Sequence, residues 1–460
     1  MKKTLLTLLL ASPGSLAFAQ TDSTDTGKLS ISGYLDSYYL TAFNRPKSGN
    51  LLGVDQLAGR AFDRLTDQFA LGLVQVKLGY ASRKTDMVVD LTFGPNAELG
   101  NFGNTAGVLN GYRPQSPSGA ALYGTSAAIK QVYFTYRATP KLSFTVGQFG
   151  THIGYEVIDA PLNYHYSLSN LFNNGPFYHI GLKTAYAFND RTSLMLGVVN
   201  NWDNLTDDNK QKSLIGQFTC KPLPTWTVYL NWIGGYGDDT YLNSLVSSGA
   251  LPKGCGNYTR QLFDLTTNYQ VTPKFYLGLN AAYGRYSFKT ESTAEADFCA
   301  GKYGSTTPDW GGVALYTNYA FCDVVGLGLR YEYFEDQHAV RYLQTRNQSV
   351  TLTAPVTLGA GKLLLKPELR RSVPTFIIIR FAKEYESIVA AWRQDVIAGG
   401  TGKAARTVTI TIRDSAGRVA GTWQLTRAWP RMVAEAAPSV AGAPAVISAE
   451  LEYERIVKTL

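Results

Sequence analysis

From Leu29 to about Arg370, apolar side chains recur at every second position in segments of roughly ten residues, and no other feature restricts the fold so tightly. Successive side chains of an extended strand point to opposite faces, so this spacing collects each segment's apolar residues on one face. Leu142, Phe144 and Val146 alternate with Ser143, Thr145 and Gly147, and Trp226, Val228, Leu230 and Trp232 with Thr227, Tyr229 and Asn231. Val325, Leu327, Leu329, Tyr331 and Tyr333 oppose Gly326, Gly328, Arg330 and Glu332. Leu363, Leu365 and Leu369 oppose Leu364, Lys366, Glu368 and Arg370. One face is greasy; the other is small, polar or charged.

A soluble β-sandwich alternates in the same way with its apolar face inward, so two further features decide between them. Aromatic residues gather at segment ends, as at Tyr38 and Tyr39, Tyr133 and Tyr136, Tyr186 and Phe188, Trp226 and Trp232, and Tyr319 and Phe321. Rings with an apolar body and a wet tip favour the rims of a membrane's apolar band. The connections also alternate in length. Short turns lie at 138–141, 189–191, 221–224, 271–274 and 322–323; long polar connections lie at 44–66, 95–126, 151–175, 203–211, 236–259, 289–309 and 336–345. That alternation marks a transmembrane β-barrel with short turns at one end and long loops at the other. A mean hydropathy of −0.11 agrees, because half of each strand faces a polar interior. No mature run approaches the roughly 18 apolar residues of a spanning helix. The predicted fold class is all-β: an antiparallel outer-membrane barrel of about 14–16 strands, wide enough for an aqueous channel, plus a small α+β carboxy-terminal segment.

The start of the chain agrees with export. Met1-Lys2-Lys3, an apolar stretch from Thr4 to Ala11, and Ala17-Phe18-Ala19 before Gln20 read as a cleaved signal peptide over residues 1–19. The barrel domain is then expected over 20–371 and a separate domain over 372–460. Enzymatic readings find little support: the four histidines (His152, His165, His179, His338) lack ligand spacing, although His165 and His179 could approach one another. No nucleophile elbow, zinc-protease motif or phosphate-binding glycine loop is present. Asp203, Asp207, Asp208 and Asn209 form an acidic loop without a calcium-loop spacing, so no metal or other cofactor is expected. The net charge of +8 contains no dense basic run, which argues against nucleic acid. Cys255 and Cys299 fall in neighbouring long loops and could form a disulfide; Cys220 and Cys322 each precede a short turn.

The stretch Gly147-Gln148-Phe149-Gly150-Thr151-His152-Ile153-Gly154-Tyr155-Glu156-Val157-Ile158-Asp159-Ala160-Pro161-Leu162-Asn163 is continued by Tyr166-Ser167 and by Phe172-Asn173-Asn174-Gly175-Pro176-Phe177-Tyr178-His179-Ile180-Gly181. With Val199-Asn200-Asn201-Trp202-Asp203-Asn204 and Gly33-Tyr34-Leu35-Asp36-Ser37-Tyr38-Tyr39, it resembles the OmpL-like β-barrel porins of Gram-negative bacteria over about residues 28–370. The resemblance implies an outer-membrane diffusion pore for small hydrophilic solutes. Its partners would be outer-membrane lipid and the outer-membrane assembly machinery, and a homo-oligomer is compatible with it.

For a pore, the chemistry is selection. Asp86, Asp90, Arg137, Lys183, Asp264, Arg330, Glu332, Lys366, Glu368 and Arg370 fall in the inward phase, and fixed charges there set the field that filters ions. Their signs nearly balance, so strong ion selectivity is not expected. Each could equally be a paired residue without a selective role. The segment 152–176, carrying His152, Tyr155, Glu156, Asp159, Asn163 and Tyr166, is too long and aromatic for a plain linker. It either folds inward as a constriction or lies on the outer rim.

The last ninety or so residues change texture: among the 29 tyrosines only Tyr385 and Tyr453 follow Arg371. Glu384 to Ile397 carries helical spacing, and strands are expected at 407–413, 422–427 and 446–456. Ile388 to Trp392, Val408-Thr409-Ile410, Trp423-Gln424-Leu425, Ala428-Trp429-Pro430 and Ile447 to Ile456 resemble the later half of phage and contractile-injection tail tube proteins. That resemblance implies a structural subunit fragment joined to a truncated porin near Arg371. Thr375 to Phe381 is the candidate for a strand that closes the barrel.

Overall fold

The computed structural model describes residues 27–41, 62–63, 65–101, 128–203, 205, 211–236, 258–288, 307–336, 338, 341, 346–361 and 363–374, with backbone strands at 376–382, 406–413, 419–436, 446–452 and 455–458. The expected signal peptide, Cys255 and Cys299, the acidic positions 207–209 and the helix expected over 384–397 lie outside these residues. Two compact units divide between Arg371 and Ser372, apart from the short stretch Thr345–Gln348, which groups with the second.

In the first unit the alternating segments become β1 (Lys28–Leu40), β2 (Gln68–Ala81), β3 (Thr85–Phe93), β4 (Ile129–Arg137), β5 (Leu142–Gly150), β6 (Tyr178–Ala187) and β7 (Thr192–Val199). The series continues with β8 (Ser213–Leu223), β9 (Trp226–Tyr236), β10 (Tyr258–Thr272), β11 (Phe275–Phe288), β12 (Asp309–Ala320), β13 (Gly326–Glu335) and β14 (Arg346–Thr353). A small hairpin, β15 (Val356–Leu358) with β16 (Leu363–Leu365), precedes β17 (Glu368–Pro374). Among the described residues β1 to β14 and β17 form one 15-stranded sheet in strict chain order. The pairings from β1 to β13 are antiparallel, joined alternately by short turns and long connections.

The two faces of this sheet are inverted relative to a soluble protein. Leu182 and Leu230 are 51% and 53% exposed, whereas Lys183 is 7% and Arg330 0% exposed. Along β13, Leu327, Leu329 and Tyr331 are exposed and Arg330, Glu332 and Phe334 buried. Along β14, Val350 and Leu352 are exposed while Ser349, Thr351 and Thr353 are buried. An outward apolar face is stable where the outer solvent is hydrocarbon, since those side chains then avoid water, while the paired strands satisfy the backbone that lipid cannot.

Local irregularities adjust this pattern. A register shift between Asp90 and Leu91 pairs Asp90 with Gln131 but Leu91 with Ile129. The bulge turns Lys130 to the inner face although Val132, two residues on, faces out. At Gly147 the φ is +126° and a Cβ would lie 2.3 Å from the Val132 carbonyl oxygen, so only glycine fits without strain. The stretch 363–370, which alternates without interruption, is two strands broken at Lys366-Pro367, where proline has no N–H for the ladder.

Among the described residues β1 and β17 end the strand order and share no ladder, so the described sheet is an open path. Both edges are nevertheless bonded to one residue. The Tyr166 N–H donates to Glu368 of β17 (2.9 Å), and its hydroxyl donates to Asp36 of β1 (3.4 Å).

In the second unit, β18 (Phe376–Ala382), β19 (Arg406–Arg413), β20 (Val419–Ala436), β21 (Val446–Glu452) and β22 (Arg455–Lys458) form a sheet of order β18-β21-β20-β19, with β22 also on β20. Three expectations are corrected here. The strand at 422–427 is part of a longer one that continues past Pro430 through a register shift, and 446–456 is two strands. The candidate barrel-closing segment is β18, which pairs with β21 instead.

Candidate functional site

Between β5 and β6 the chain leaves the sheet at Thr151 and returns at Phe177. It is shaped by a 3-10 turn at Ala160–Leu162 and by a short helix, α1 (Asn170–Asn174), capped by Ser169 Oγ, which accepts from Phe172 N–H. Fifteen of the segment's 27 residues are buried, including His152, Tyr155, Glu156, Asn163 and His165, and only Pro161 and Leu162 are exposed. Their partners lie on strands from end to end of the sheet order. Asp159 accepts from Tyr34 of β1 (3.3 Å), from Gln75 of β2 (2.9 Å) and from Lys130 of β4. His152 Nε2–H donates to the Trp232 carbonyl of β9 (3.0 Å), and Gly154 N–H to Asp264 of β10 (3.0 Å). The Tyr155 hydroxyl donates to Tyr276 of β11 (2.8 Å), and its ring stacks on Tyr316 of β12 at 4.1 Å. His165 Nδ1 bonds Thr353 of β14 (2.7 Å), and Arg370 of β17 donates to the Leu168 carbonyl (3.0 Å). A segment of this length can reach all of these strands only if the sheet curls around it.

The strongest anchor is ionic. Arg330 of β13 donates to Glu156 (2.7 Å), to the Ser167 carbonyl (2.6 Å), to Ser167 Oγ (3.0 Å) and to Thr351 (3.2 Å), and its Nε lies 3.2 Å from Glu332. Glu332 also faces Arg370 (3.2 Å) and accepts from Asn170 N–H (2.6 Å); Glu156 accepts from Ser169 N–H (2.6 Å). Each carboxylate thus meets a guanidinium and a backbone N–H donor, the pairing under which buried charge is tolerated. Glu368 accepts from Tyr166 and Ser167 N–H, and Lys366 donates to the Ala160 and Asn163 carbonyls.

The candidate charges therefore fall into separate groups. Glu156, Arg330, Glu332, Lys366, Glu368 and Arg370 gather around the segment, and Asp90 joins Lys130 (3.6 Å) beside Asp159. Arg137 pairs with Asp86 at the short-turn end, apart from the segment. Asp264 is capped by neutral donors, Asn231 (2.8 Å), Asn280 (2.5 Å) and Gly154 N–H. Lys183 lies over the Phe149 ring at 4.1 Å and, among the described residues, meets no carboxylate. It is His152 that lies against His179, with ring centroids 5.7 Å apart, while His165 bonds Thr353. Burial lowers the pKa of His152 to about 4 and that of His165 further, so both rings are neutral at pH 7. Asp203, read as part of an acidic loop, is buried and accepts from the Phe177 and Tyr178 N–H groups (2.6 and 3.0 Å), a structural duty. Cys220 and Cys322 are free thiols.

Lys130, Asn231, Asn280, Tyr276, Tyr316 and Thr353 belong to the site but were not anticipated. Asn231, Asn280 and Thr353 occupy the inner phase of their strands, so the period that selected Asp264 would have selected them had uncharged polar residues been weighed. Among the described residues no helix is long and apolar enough to cross a membrane and no cluster of metal ligands occurs; the outward apolar band consists of strands. The family described as Putative beta-barrel porin-2, OmpL-like, matches residues 28–389. The chain belongs to this family of outer-membrane porins. As a porin its work is passage of solutes through the outer membrane, not bond-making. Among solved structures, OmpT of Vibrio cholerae is 11% identical with a TM-score of 0.41, over 77% of this chain and 90% of that one. An anion-selective porin from Comamonas acidovorans is 8% identical with a TM-score of 0.44, over 76% and 89%. OmpF of Salmonella typhi, in complex with daunomycin, is 8% identical with a TM-score of 0.44, over 93% and 98%. A search of curated proteins gives no match.

Proposed function

We propose that residues 20–371 of this porin form the conducting domain and that segment 151–177 is its constriction. The observation that carries this is the bonding of one buried segment to strands from β1 to β17, with His152, Tyr155, Glu156, Asp159, Asn163 and Tyr166 all engaged. Segment 151–177 narrows the path, and small hydrophilic solutes pass beside it. Most inner charges are locally compensated, and Lys183 and Asp264, which among the described residues meet no opposite charge, are of opposite sign, so weak ion selectivity is favoured. Outer-membrane lipid covers the apolar face, the assembly machinery inserts the strands, and association of copies is measured by crosslinking in native membranes. For the second unit a tail-tube-like role is a separate proposal, tested by whether the purified chain forms rings in electron micrographs. The decisive experiment on the constriction replaces 152–176 by a short glycine-serine turn and records single-channel conductance in planar bilayers. Conductance rises if the segment obstructs the path; an unchanged value removes it from the path.

A further inference from the structure

Two of the short turns are built alike. Thr139-Pro140-Lys141 leads into β5, and Thr272-Pro273-Lys274 leads into β11. In each, the threonine Oγ accepts from the lysine N–H (3.2 and 3.3 Å) and from the N–H that follows (3.0 and 3.1 Å), which fixes the shape of the turn. The lysine carbonyl accepts from Ala187 N–H at the end of β6 (2.9 Å) or from Ala320 N–H at the end of β12 (2.8 Å).

Those strand ends repeat one another as well: Tyr186-Ala187-Phe188-Asn189-Asp190 and Tyr319-Ala320-Phe321-Cys322-Asp323. In each the tyrosine and phenylalanine rings meet edge to face, with centroids 5.3 and 5.4 Å apart, and both rings are exposed. The tyrosines stand in the outward phase of Leu182 and Leu315, so each ring pair prolongs the apolar band to its rim. Lys141 Nζ donates to the Phe188 carbonyl (3.4 Å) and Lys274 Nζ to the Phe321 carbonyl (3.3 Å), so each ammonium is held beside its ring pair. Among the described residues neither ammonium meets a carboxylate within ion-pair distance.

The occupant must satisfy both halves of this arrangement. Apart from the Arg137–Asp86 pair, the short turns and their flanks carry Arg83, Lys84, Lys141, Arg191, Lys221 and Lys274 against Asp190 and Asp323, a rim that attracts anions. A soluble anion would use the ammonium and leave the rings idle. A lipid with a phosphate headgroup uses both, and the short turns of an outer-membrane barrel face the periplasm, where the leaflet is phospholipid. We infer that Lys141 with Tyr186 and Phe188, and Lys274 with Tyr319 and Phe321, are two seats for an anionic phospholipid of that leaflet. The phosphate accepts from the ammonium and the acyl chains lie along the rings. The turn before β3 supplies an internal comparison. Arg137 N–H donates to the Lys84 carbonyl in the same way (2.7 Å), but Tyr136-Arg137-Ala138 has alanine where the two seats have phenylalanine.

The test is native mass spectrometry of the full-length porin in non-ionic detergent, titrated with dioleoyl phosphatidylglycerol or with dioleoyl phosphatidylcholine, which has the same chains and phosphate but no net charge. Two phosphatidylglycerols are retained, at lower concentrations than phosphatidylcholine. Lys141→Gln and Lys274→Gln each raise the half-saturating concentration of one of the two about fivefold, the effect of one basic residue at an anionic headgroup, and the double variant raises both. Lys84→Gln removes rim charge where the ring pair is missing and leaves both lipids in place. Heat-modifiable gel migration verifies that each variant folds; if one does not, the comparison of the two lipids on the wild type still decides. Equal retention of the two lipids, or an equal loss in Lys84→Gln, overturns the seats. A soluble muropeptide, anionic but without acyl chains, that displaces phosphatidylglycerol assigns the rim to the cell wall and overturns them too.

Discussion

Replacing Arg330 by methionine isolates the ionic anchor of segment 151–177. Arg330 is fully buried and is the donor that ties Glu156, Ser167 and Thr351 together beside Glu332. Methionine fills part of its volume but leaves Glu156 with one backbone donor, and Glu332 with Asn170 N–H and Arg370. Removing one member of a buried ionic group costs about 3–5 kcal/mol, because the remaining charge loses its compensation without regaining water. That cost is relieved if the segment swings away and lets Glu156 reach solvent. At about 1.4 kcal/mol per factor of ten, the released population rises by at least about a hundredfold. The segment is rich in chymotrypsin sites, so cleavage near Tyr164 and Tyr166, mapped by mass spectrometry, reads this population wherever reclosing outpaces cleavage. Cleavage at those sites accelerates about a hundredfold or more in Arg330→Met while the barrel retains its heat-modifiable migration. The double variant Glu156→Gln with Arg330→Met recovers part of the protection, since a neutral pair no longer strands a charge. Wild-type cleavage rates in Arg330→Met would falsify the claim that this ion group holds the segment in place.

Three further outcomes check other parts of the description. Leu230→Arg places a charge on the outward face of β9, at 53% exposure, and costs about 2–4 kcal/mol near the bilayer midplane; urea titration of folding into vesicles measures the loss. His152 is held neutral, so its folded-state pKa lies below the ordinary 6.5; the stability this contributes is full above pH 6.5 and lost as pH falls through about 4. The shift corresponds to about 3 kcal/mol, and single-channel conductance therefore changes between pH 6.5 and 4 in the wild type, with that component missing in His152→Gln. Cys322, exposed in the turn between β12 and β13, reacts with an impermeant maleimide only once the periplasmic side is opened; labelling at residue 322 in intact cells contradicts the assignment of short turns to the periplasm.

The strands were legible because a membrane barrel repeats one physical rule at every turn of the chain. Leu327, Leu329 and Tyr331 look outward and Arg330 and Glu332 inward in the same phase in which they stand in the sequence. Where the rule bends, the cause is local and small. The bulge opposite Asp90 moves Lys130 inward, and one proline ends a strand that alternation alone would continue. The bulge shifts the alternation by one residue over too short a stretch to stand out, and the proline stands where the apolar residues on either side keep their spacing.

The site was less legible, and its apolar half shows why. Ile215, Ile233 and Leu262 are at most 1% exposed on the inner face, where the alternation assigns water. They pack with Phe149, Ile153, Leu171 and Trp202 in one cluster, so segment 151–177 supplies the apolar surface that makes their inward orientation favourable. Ile153 and Leu262 stand more than a hundred residues apart, and no window of the chain contains both sides of the contact. The charged half follows the same logic: Glu156 and Arg330 are each expensive to bury alone and tolerable together. A periodic pattern reports what each strand shows to its two solvents. It is silent about a segment that replaces one of those solvents, and the inner face of this porin is shaped by that replacement.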